Sequence, residues 1–193
     1  SSLISAPLVP ASANTLYLAS ITSRNHATVL NVSGLGLTWT RLRDQCSGRN
    51  QTGIEVWKAY GSPASNGTVT ATLNTSVNTA VIAVSRYVGV NAANPTGAVV
   101  GDNTRGDNST LCSGGIDASS YNVPITTSAN SVIYAATSLR TRTHNPGAGF
   151  TERAEFSAGS LGSASSIAIM DSSISTASTY FVNGIFSSTV DYA

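Results

Sequence analysis

Charge is what this sequence has least of. Only 10% of its 193 residues are Asp, Glu, Lys or Arg, against about 25% in an ordinary soluble protein. Nine of the ten cations are Arg, and Lys58 is the sole lysine. A formal net charge of +1 supplies no basic patch to set against phosphate, so nucleic acid is not an expected partner. Long apolar runs are missing too. None approaches the roughly 20 residues that cross a bilayer as a helix, so no membrane span is expected. Helical periodicity is absent from every segment, which removes the helical fold classes. Cysteine is limited to Cys46 and Cys112. Neither sits in a CxxC pair or beside a histidine at metal-ligand spacing, which argues against zinc. The chain has no charged n-region followed by an apolar h-region and starts at Ser1 without Met, so it reads as a mature exported product.

Hydroxyl and amide groups take the place of charge. Ser and Thr together make 53 of the 193 residues, with 15 Asn besides. Hydrophobic residues still make up 41%, enough to build a core rather than remain a disordered polar tract. The length suits one ordinary domain. Short runs of β-branched and aromatic residues recur between clusters of Gly, Pro, Asn, Asp and Ser. They predict strands over 15–23, 28–33, 37–43, 53–60, 67–73, 79–88, 122–128, 131–138, 149–156, 164–171 and 178–190. That spacing predicts an all-β fold, a two-sheet antiparallel sandwich of jelly-roll or Ig-like type with an extended N-terminal strand. In 67–73, Val69, Ala71 and Leu73 alternate with threonines and face inward. The segment 79–88 is apolar on both faces as far as Arg86, the pattern of a central strand. No internal repeat or linker is visible. The division is an extended segment at 1–12 and one sandwich domain at 13–193. The breaker-rich stretch 89–121 exceeds the roughly 15 residues that loops reach without a role, which makes it the best place for a contact.

In an oxidising compartment Cys46 and Cys112 pair, closing a loop of 112 − 46 = 66 residues. Chain-entropy arguments give such a bridge about 4 kcal/mol. Two buried free thiols are the other possibility, and the polar, turn-rich surroundings RDQCSGRNQTG and STLCSGGID favour the bridge.

Catalytic constellations are hard to assemble. His26 and His144 lie in turn-like contexts and read as solvated loop residues, without a GxSxG serine or a catalytic cysteine signature. Glu152 and Glu155 are three apart in an expected strand. Strand parity puts them on opposite faces, so they cannot make the carboxylate pair of a glycosidase. The string YFVNGIF at 180–186 resembles a strand of alginate-lyase jelly rolls, but Val182 and Phe186 replace the lysine and tyrosine that the chemistry needs. No enzymatic activity and no cofactor are expected. Trp39 and Trp57 are candidates for a sugar-stacking platform, with core packing as the plainer reading of both. Asp102, Asn103 and Asp107 offer oxygen ligands for calcium without the spacing of an EF-hand, and no metal site is assigned there. Arg105-Gly106-Asp107 matches a cell-adhesion tripeptide, which in a Gly- and Asp-rich loop reads first as a turn. Five sequons stand at Asn31, Asn50, Asn66, Asn74 and Asn108. Their number is what composition provides, but four fall in expected turns, where a glycan can leave the surface.

The succession NTLYLASIT, VSGLGLTWTRL, IEVWKAY, TVTATL and SRYVGV, followed by NSVIYAATS and GFTERAEF, resembles a β-sandwich repeat of large secreted bacterial and archaeal proteins. The resemblance implies an extracellular adhesive, carbohydrate-contacting or structural module, carried by sheet-packing residues and attached to no enzymatic activity. The apolar leader SSLISAPLVP adds a further clue. Pro7 and Pro10 favour extended backbone, and Leu3, Ile4, Ala6, Leu8 and Val9 form the apolar content of a donor strand. Such a strand packs either as the domain's own first strand or in the sheet of a neighbouring copy. The second arrangement resembles archaeal surface filaments whose β-sandwich heads are linked by N-terminal strands. The leading expectation is therefore an extracellular filament subunit whose partners are copies of itself, the leader projecting from its own sandwich. A secreted carbohydrate-binding or adhesin module is the alternative, and a leader paired within its own sheet favours it.

Overall fold

A computed structural model of the chain describes residues 1–7 and 15–193. Leu8 and Val9 of the expected donor strand, and the boundary at residues 12 and 13, lie outside the described residues. Thirteen strands and one 3₁₀ turn (Leu161–Ser163) follow one another, and no α-helix occurs among the described residues. In chain order the strands are β1 (Ser2–Ile4), β2 (Thr15–Arg24), β3 (Val29–Gly34), β4 (Thr40–Cys46), β5 (Thr52–Gly61), β6 (Val69–Leu73) and β7 (Ala80–Tyr87). After the connection 88–117 come β8 (Ala118–Thr127), β9 (Ser131–Leu139), β10 (His144–Pro146), β11 (Thr151–Ala158), β12 (Ser165–Ile174) and β13 (Ser178–Val190).

The antiparallel sandwich expected from the sequence is present, and the chain builds it twice. Sheets β1-β6-β3 and β4-β5-β2-β7 face one another over a first core of Tyr17, Ile21, Val32, Trp39, Val69 and Leu73. Sheets β10-β13-β8 and β11-β12-β9 enclose a second core of Tyr121, Val123, Leu139, Met170, Val182 and Phe186. The two sandwiches then meet through their inner sheets, where Ile54, Ala83, Ile167 and Ile169 form a third apolar layer. This layering explains why every residue of β2 but the last is buried, as are β12's first seven. Each of these strands has a core on both faces.

The halves share a topology. Replacing β1–β6 by β8–β13 in order turns β1-β6-β3 into β8-β13-β10 and β4-β5-β2 into β11-β12-β9. Register repeats as well. Thr22 stands opposite Ile54, and Ser138 opposite Ile167. Thr40 faces Lys58, and Thr151 faces Asp171. Each of the latter pairs is followed by a bulge at the equivalent place, between Arg41 and Arg43 and between Glu152 and Ala154. Bulges re-aim the side chains that follow them, so a repeated bulge is a repeated design element. The duplication corrects the expectation of a chain without internal repeat.

Strand β7 has no partner in this scheme, and it corrects another expectation. It is an edge strand beside β2, not a central one. Its apolar residues are needed on both faces because Ile82 and Val84 pack on the first core while Val81 and Ala83 pack on the layer between the halves. The corresponding position beside β9 is touched by the C-terminal Ala193, whose amide and carbonyl bond Ser138 at 3.1 and 2.7 Å.

Four hydroxyls lie where the inner sheets cross. Thr22, Thr52, Ser138 and Ser165 are each 0% exposed. Thr22 Oγ1 lies 2.5 Å from Ser138 Oγ and 3.1 Å from Ser165 Oγ, and Thr52 Oγ1 bonds Ser138 Oγ. By the register above, Thr22 corresponds to Ser138 and Thr52 to Ser165, so the cluster is its own image under the exchange of halves. A hydroxyl both donates and accepts, so the four link into one network, which Thr52 Oγ1 extends to the Ser23 carbonyl at 3.4 Å.

The leader does not project. Ser2–Ile4 pair antiparallel with Thr70–Thr72 of the chain's own β6, and Leu3 reaches the first core. Ile4, on the opposite face, stays 65% exposed. This cis pairing corrects the expectation of a free donor strand. The slot on β6 corresponds to the slot on β13 that β8 fills over ten residues, and in both halves the chain fills it from within.

Thr22→Val keeps the shape and removes the shared hydroxyl, which leaves buried partners unsatisfied at a cost of about 1–3 kcal/mol. Urea denaturation of Thr22→Val, Ser138→Ala and the double variant should give losses that do not add, the double variant losing clearly less than the sum of the singles. Additive losses would show that the two hydroxyls do not act as one network.

Candidate functional site

The connection 88–117 is pinned at several points. The Cys46–Cys112 disulfide closes it against the end of β4. Asn103, 1% exposed, donates through Nδ2 to the carbonyls of Cys46 at 2.8 Å and Leu111 at 3.2 Å, and its Oδ1 accepts from the Arg105 amide at 2.8 Å. Gly115 N–H donates to Gly48 O at 2.9 Å. A Cβ on Gly48 would stand 2.5 Å from Thr104 Oγ1 and 3.1 Å from Gly115 Cα, so only glycine lets the loop approach the β4–β5 turn this closely.

Asp191, just past β13, ties three parts of the chain together. Its buried carboxylate accepts from Ser47 Oγ at 2.5 Å, Thr104 Oγ1 at 2.5 Å, the Arg49 amide at 3.1 Å and the Gln51 amide at 3.2 Å. Successive backbone N–H groups in a turn make a concave anion seat, and here the β4–β5 turn offers that seat to the C-terminal tail.

Beside this knot lies a shallow concavity of about 350 Å³, walled by Asp102, Asn103, Asp107 and Gly106 of the loop, Ser120, Tyr121 and Asn122 of β8, and Tyr192. Tyr192 donates its hydroxyl to Asp102 Oδ2 at 2.6 Å. Burial pushes the Asp102 carboxyl above its ordinary value, and nearby Asp107 adds to the rise. Tyr192 is likewise raised, first by burial and then by its bond to Asp102. The Arg105-Gly106-Asp107 turn is exposed at the rim, closed by Gly106 N–H to Asn103 O at 2.8 Å.

The histidines differ from their expected place in solvent. His144 is buried in the second core, with Nδ1 2.7 Å from Glu152 Oε2 and Nε2 2.8 Å from the Tyr121 hydroxyl. Its own amide donates to Glu155 Oε1 at 2.9 Å. Both glutamates reach one residue because the bulge after Glu152 reverses strand parity; Glu152 pairs with Met170 and Glu155 with Ala168, both on the second-core face. Gly184 makes the room, since a Cβ there would lie 2.5 Å from His144 Nε2. Burial pushes Tyr121 up to about 12. The Glu152–His144–Tyr121 chain runs from the partly exposed Glu152 into the core and serves as a polar strut. His26 is half-buried and bonded to Asp44 Oδ1 at 2.6 Å, which holds the Asp44 carboxyl below its ordinary value.

Trp39 is buried in the first core, with Nε1 donating to Gly34 O at 3.2 Å, and offers no open face to a sugar. Trp57 is half-buried at the edge of the same core and donates to Glu55 Oε2 at 2.9 Å. Glu55, 1% exposed, also accepts from the Val29 amide at 2.7 Å. Among the described residues one group of three metal-ligating types lies close together, His26 with Cys46 and Cys112. Its sulfurs are consumed in the disulfide, and only a thiolate ligates. All five sequon asparagines are exposed. Asn31 lies in β3, Asn50, Asn66 and Asn74 in successive connections of the first half, and Asn108 in the 88–117 loop. No helix among the described residues is long and apolar enough to cross a membrane.

No protein family, curated protein or solved structure matches this chain.

Asp191→Ala strips the acceptor from the buried Ser47 hydroxyl, the half-buried Thr104 hydroxyl and the Arg49 amide, and removes one of the two acceptors of the Gln51 amide. The expected loss is at least about 3 kcal/mol in urea denaturation, since hydrogen bonds to charged groups are each worth about 1.5–3 kcal/mol. A loss under about 1 kcal/mol would mean that the tail and turn are held by other contacts.

Proposed function

We propose that the chain is a structural subunit of an extracellular filament, assembled by exchange of β1 between copies. The observation that carries this reading is the contrast between equivalent strands. β8 pairs with β13 along nearly its whole length, whereas β1 pairs with β6 at three positions, Ser2 to Thr72, Leu3 to Ala71 and Ile4 to Thr70, with Ser1 and Ser5 bonded to Leu73 and Val69 at its two ends. Segments with few buried contacts open at low cost. An opened β1 leaves an apolar slot beside β6 that only a strand like it can fill. The cis pairing described above is then the closed form, and exchange between copies is its open, head-to-tail counterpart, which does not close into a ring of fixed size unless the rotation permits.

An extracellular setting is supported by the Cys46–Cys112 bridge, by the hydroxyl-rich, charge-poor surface, and by the exposure of every sequon asparagine. Glycans at those positions would supply the hydration that charges provide elsewhere. A second reading, an adhesin or carbohydrate-contacting module, is favoured by the cis pairing of β1 and draws on the concavity, whose amide and hydroxyl walls suit a sugar.

Ile4→Cys with Thr70→Cys places two thiols at directly paired positions and locks β1 in cis when oxidised. The oxidised variant should remain monomeric under conditions where the parent chain forms filaments, and reduction should restore assembly, both read by electron microscopy and light scattering. Filaments from the oxidised variant would overturn strand exchange. A parent chain that stays monomeric and binds oligosaccharide would establish the second reading instead.

A further inference from the structure

The turn after β2 has a costly backbone. Asn25 and His26 follow one another at φ 62° and 45°, a left-handed region that residues other than glycine seldom enter. The turn lays the His26 ring over Gly53, where any Cβ would collide with the ring. Gly53 pairs with Cys46 across the β4–β5 ladder, so the imidazole arrives at the bridge. One ring nitrogen of His26 and the sulfurs of Cys46 and Cys112 all lie within 4.8 Å of one another. Behind the ring, Asp44 Oδ1 holds Nε2 at 2.6 Å. The His26 side chain is 16% exposed, so solvent still reaches it.

A disulfide requires neither the histidine nor the carboxylate behind it. Before the bridge closes, however, the chain carries two thiols at this place, and other bonds keep them together. Gln45 Nε2 donates to Ser109 O at 2.6 Å, Asn103 Nδ2 to Cys46 O at 2.8 Å and to Leu111 O at 3.2 Å, and Gly115 N–H to Gly48 O at 2.9 Å. In the dithiol form two sulfurs and an imidazole therefore face one another, the ligand types that thiophilic metals prefer. Zinc holds sulfur at about 2.3 Å and imidazole nitrogen at about 2.0–2.1 Å in a tetrahedron, which sets its ligand atoms about 3.5–3.8 Å apart. The 4.8 Å cluster encloses that spread once the sulfurs part. A ligating histidine keeps its other ring nitrogen on a carboxylate or carbonyl, which fixes tautomer and orientation. Asp44 offers His26 such a partner.

We propose that the dithiol form of the chain binds one zinc ion through Cys46, Cys112 and His26, with water in the fourth position and Asp44 orienting the imidazole. Binding displaces the two thiol protons, and the two thiolates balance the charge of the ion. The ion pins the 88–117 loop to β4 as the bridge does. A disulfide oxidant then removes two electrons from the sulfurs; the S–S bond forms, both metal–sulfur bonds break, the zinc leaves as the divalent ion, and the oxidant is reduced to two thiols. Metal and bridge are thus alternative cross-links at one place. The site is independent of strand exchange, since β1 and β6 take no part in it.

Cobalt(II), which replaces zinc in thiolate sites and is coloured there, provides the test. The full chain is reduced with dithiothreitol, freed of it under argon, and titrated with cobalt(II). One ion per chain is expected, with the sulfur-to-cobalt charge-transfer band and the intense visible bands of a tetrahedral site. One equivalent of zinc should bleach both, and the oxidised chain should show neither. Asp44→Asn should weaken binding about tenfold or more, and His26→Ala, which removes a ligand, should weaken it further. An unfolded dithiol chain would bind metal through its sulfurs without regard to His26. Equal affinity in the reduced parent and His26→Ala chains would therefore overturn the proposal, as would a reduced parent that shows no charge-transfer band.

Discussion

The hydroxyl seam formed by Thr22, Thr52, Ser138 and Ser165 is the constraint on which the architecture turns. Two sandwiches with apolar inner sheets can slide over one another, because hydrophobic contact is non-directional. Hydrogen bonds are directional, and a buried hydroxyl left unpaired is penalised. The observed superposition brings the two equivalent pairs together and bonds all four groups. The apolar contacts of Ile54, Ile167 and Ile169 then supply stabilisation within a geometry that the hydroxyls select. A chain in which more than a quarter of the residues are Ser or Thr uses them inside as well as outside.

The second fixture is the knot around Asp191. Duplication leaves a problem at the join, since the connection from β7 to β8 spans residues 88–117 and passes the ends of both sandwiches. The disulfide, the Asn103 amide and the Asp191 carboxylate solve it with three different chemistries, each tying the loop to the β4–β5 turn or the tail. The concavity is a consequence. Its walls are the loop, the first strand of the second half and the tail, and the knot holds the loop and the tail in place.

Much of the fold was legible in the sequence. Every long strand falls within a few residues of its expected place, because β-branched runs between turn residues report strands locally. The bridge was legible from the polar, turn-rich surroundings of both cysteines. The duplication was not, although Thr15–Thr22 and Ser131–Ser138 begin equivalent strands and Trp39-Thr40 matches Phe150-Thr151. Packing equivalence tolerates wide change of side chain: Thr22 becomes Ser138, Arg41 becomes Glu152, and too few identities remain to reveal the repeat. The Glu152–Glu155 pairing with His144 was hidden for another reason. Strand parity holds only without a bulge, and nothing local in TERAEF announces one.

The central claim is that the seam makes two sandwiches into a single folding unit. Differential scanning calorimetry tests it most directly. Cooperative unfolding gives one transition whose calorimetric and van't Hoff enthalpies agree. Two resolved transitions, or a calorimetric enthalpy about twice the van't Hoff value, would mean that the halves unfold independently and that the seam does not couple them.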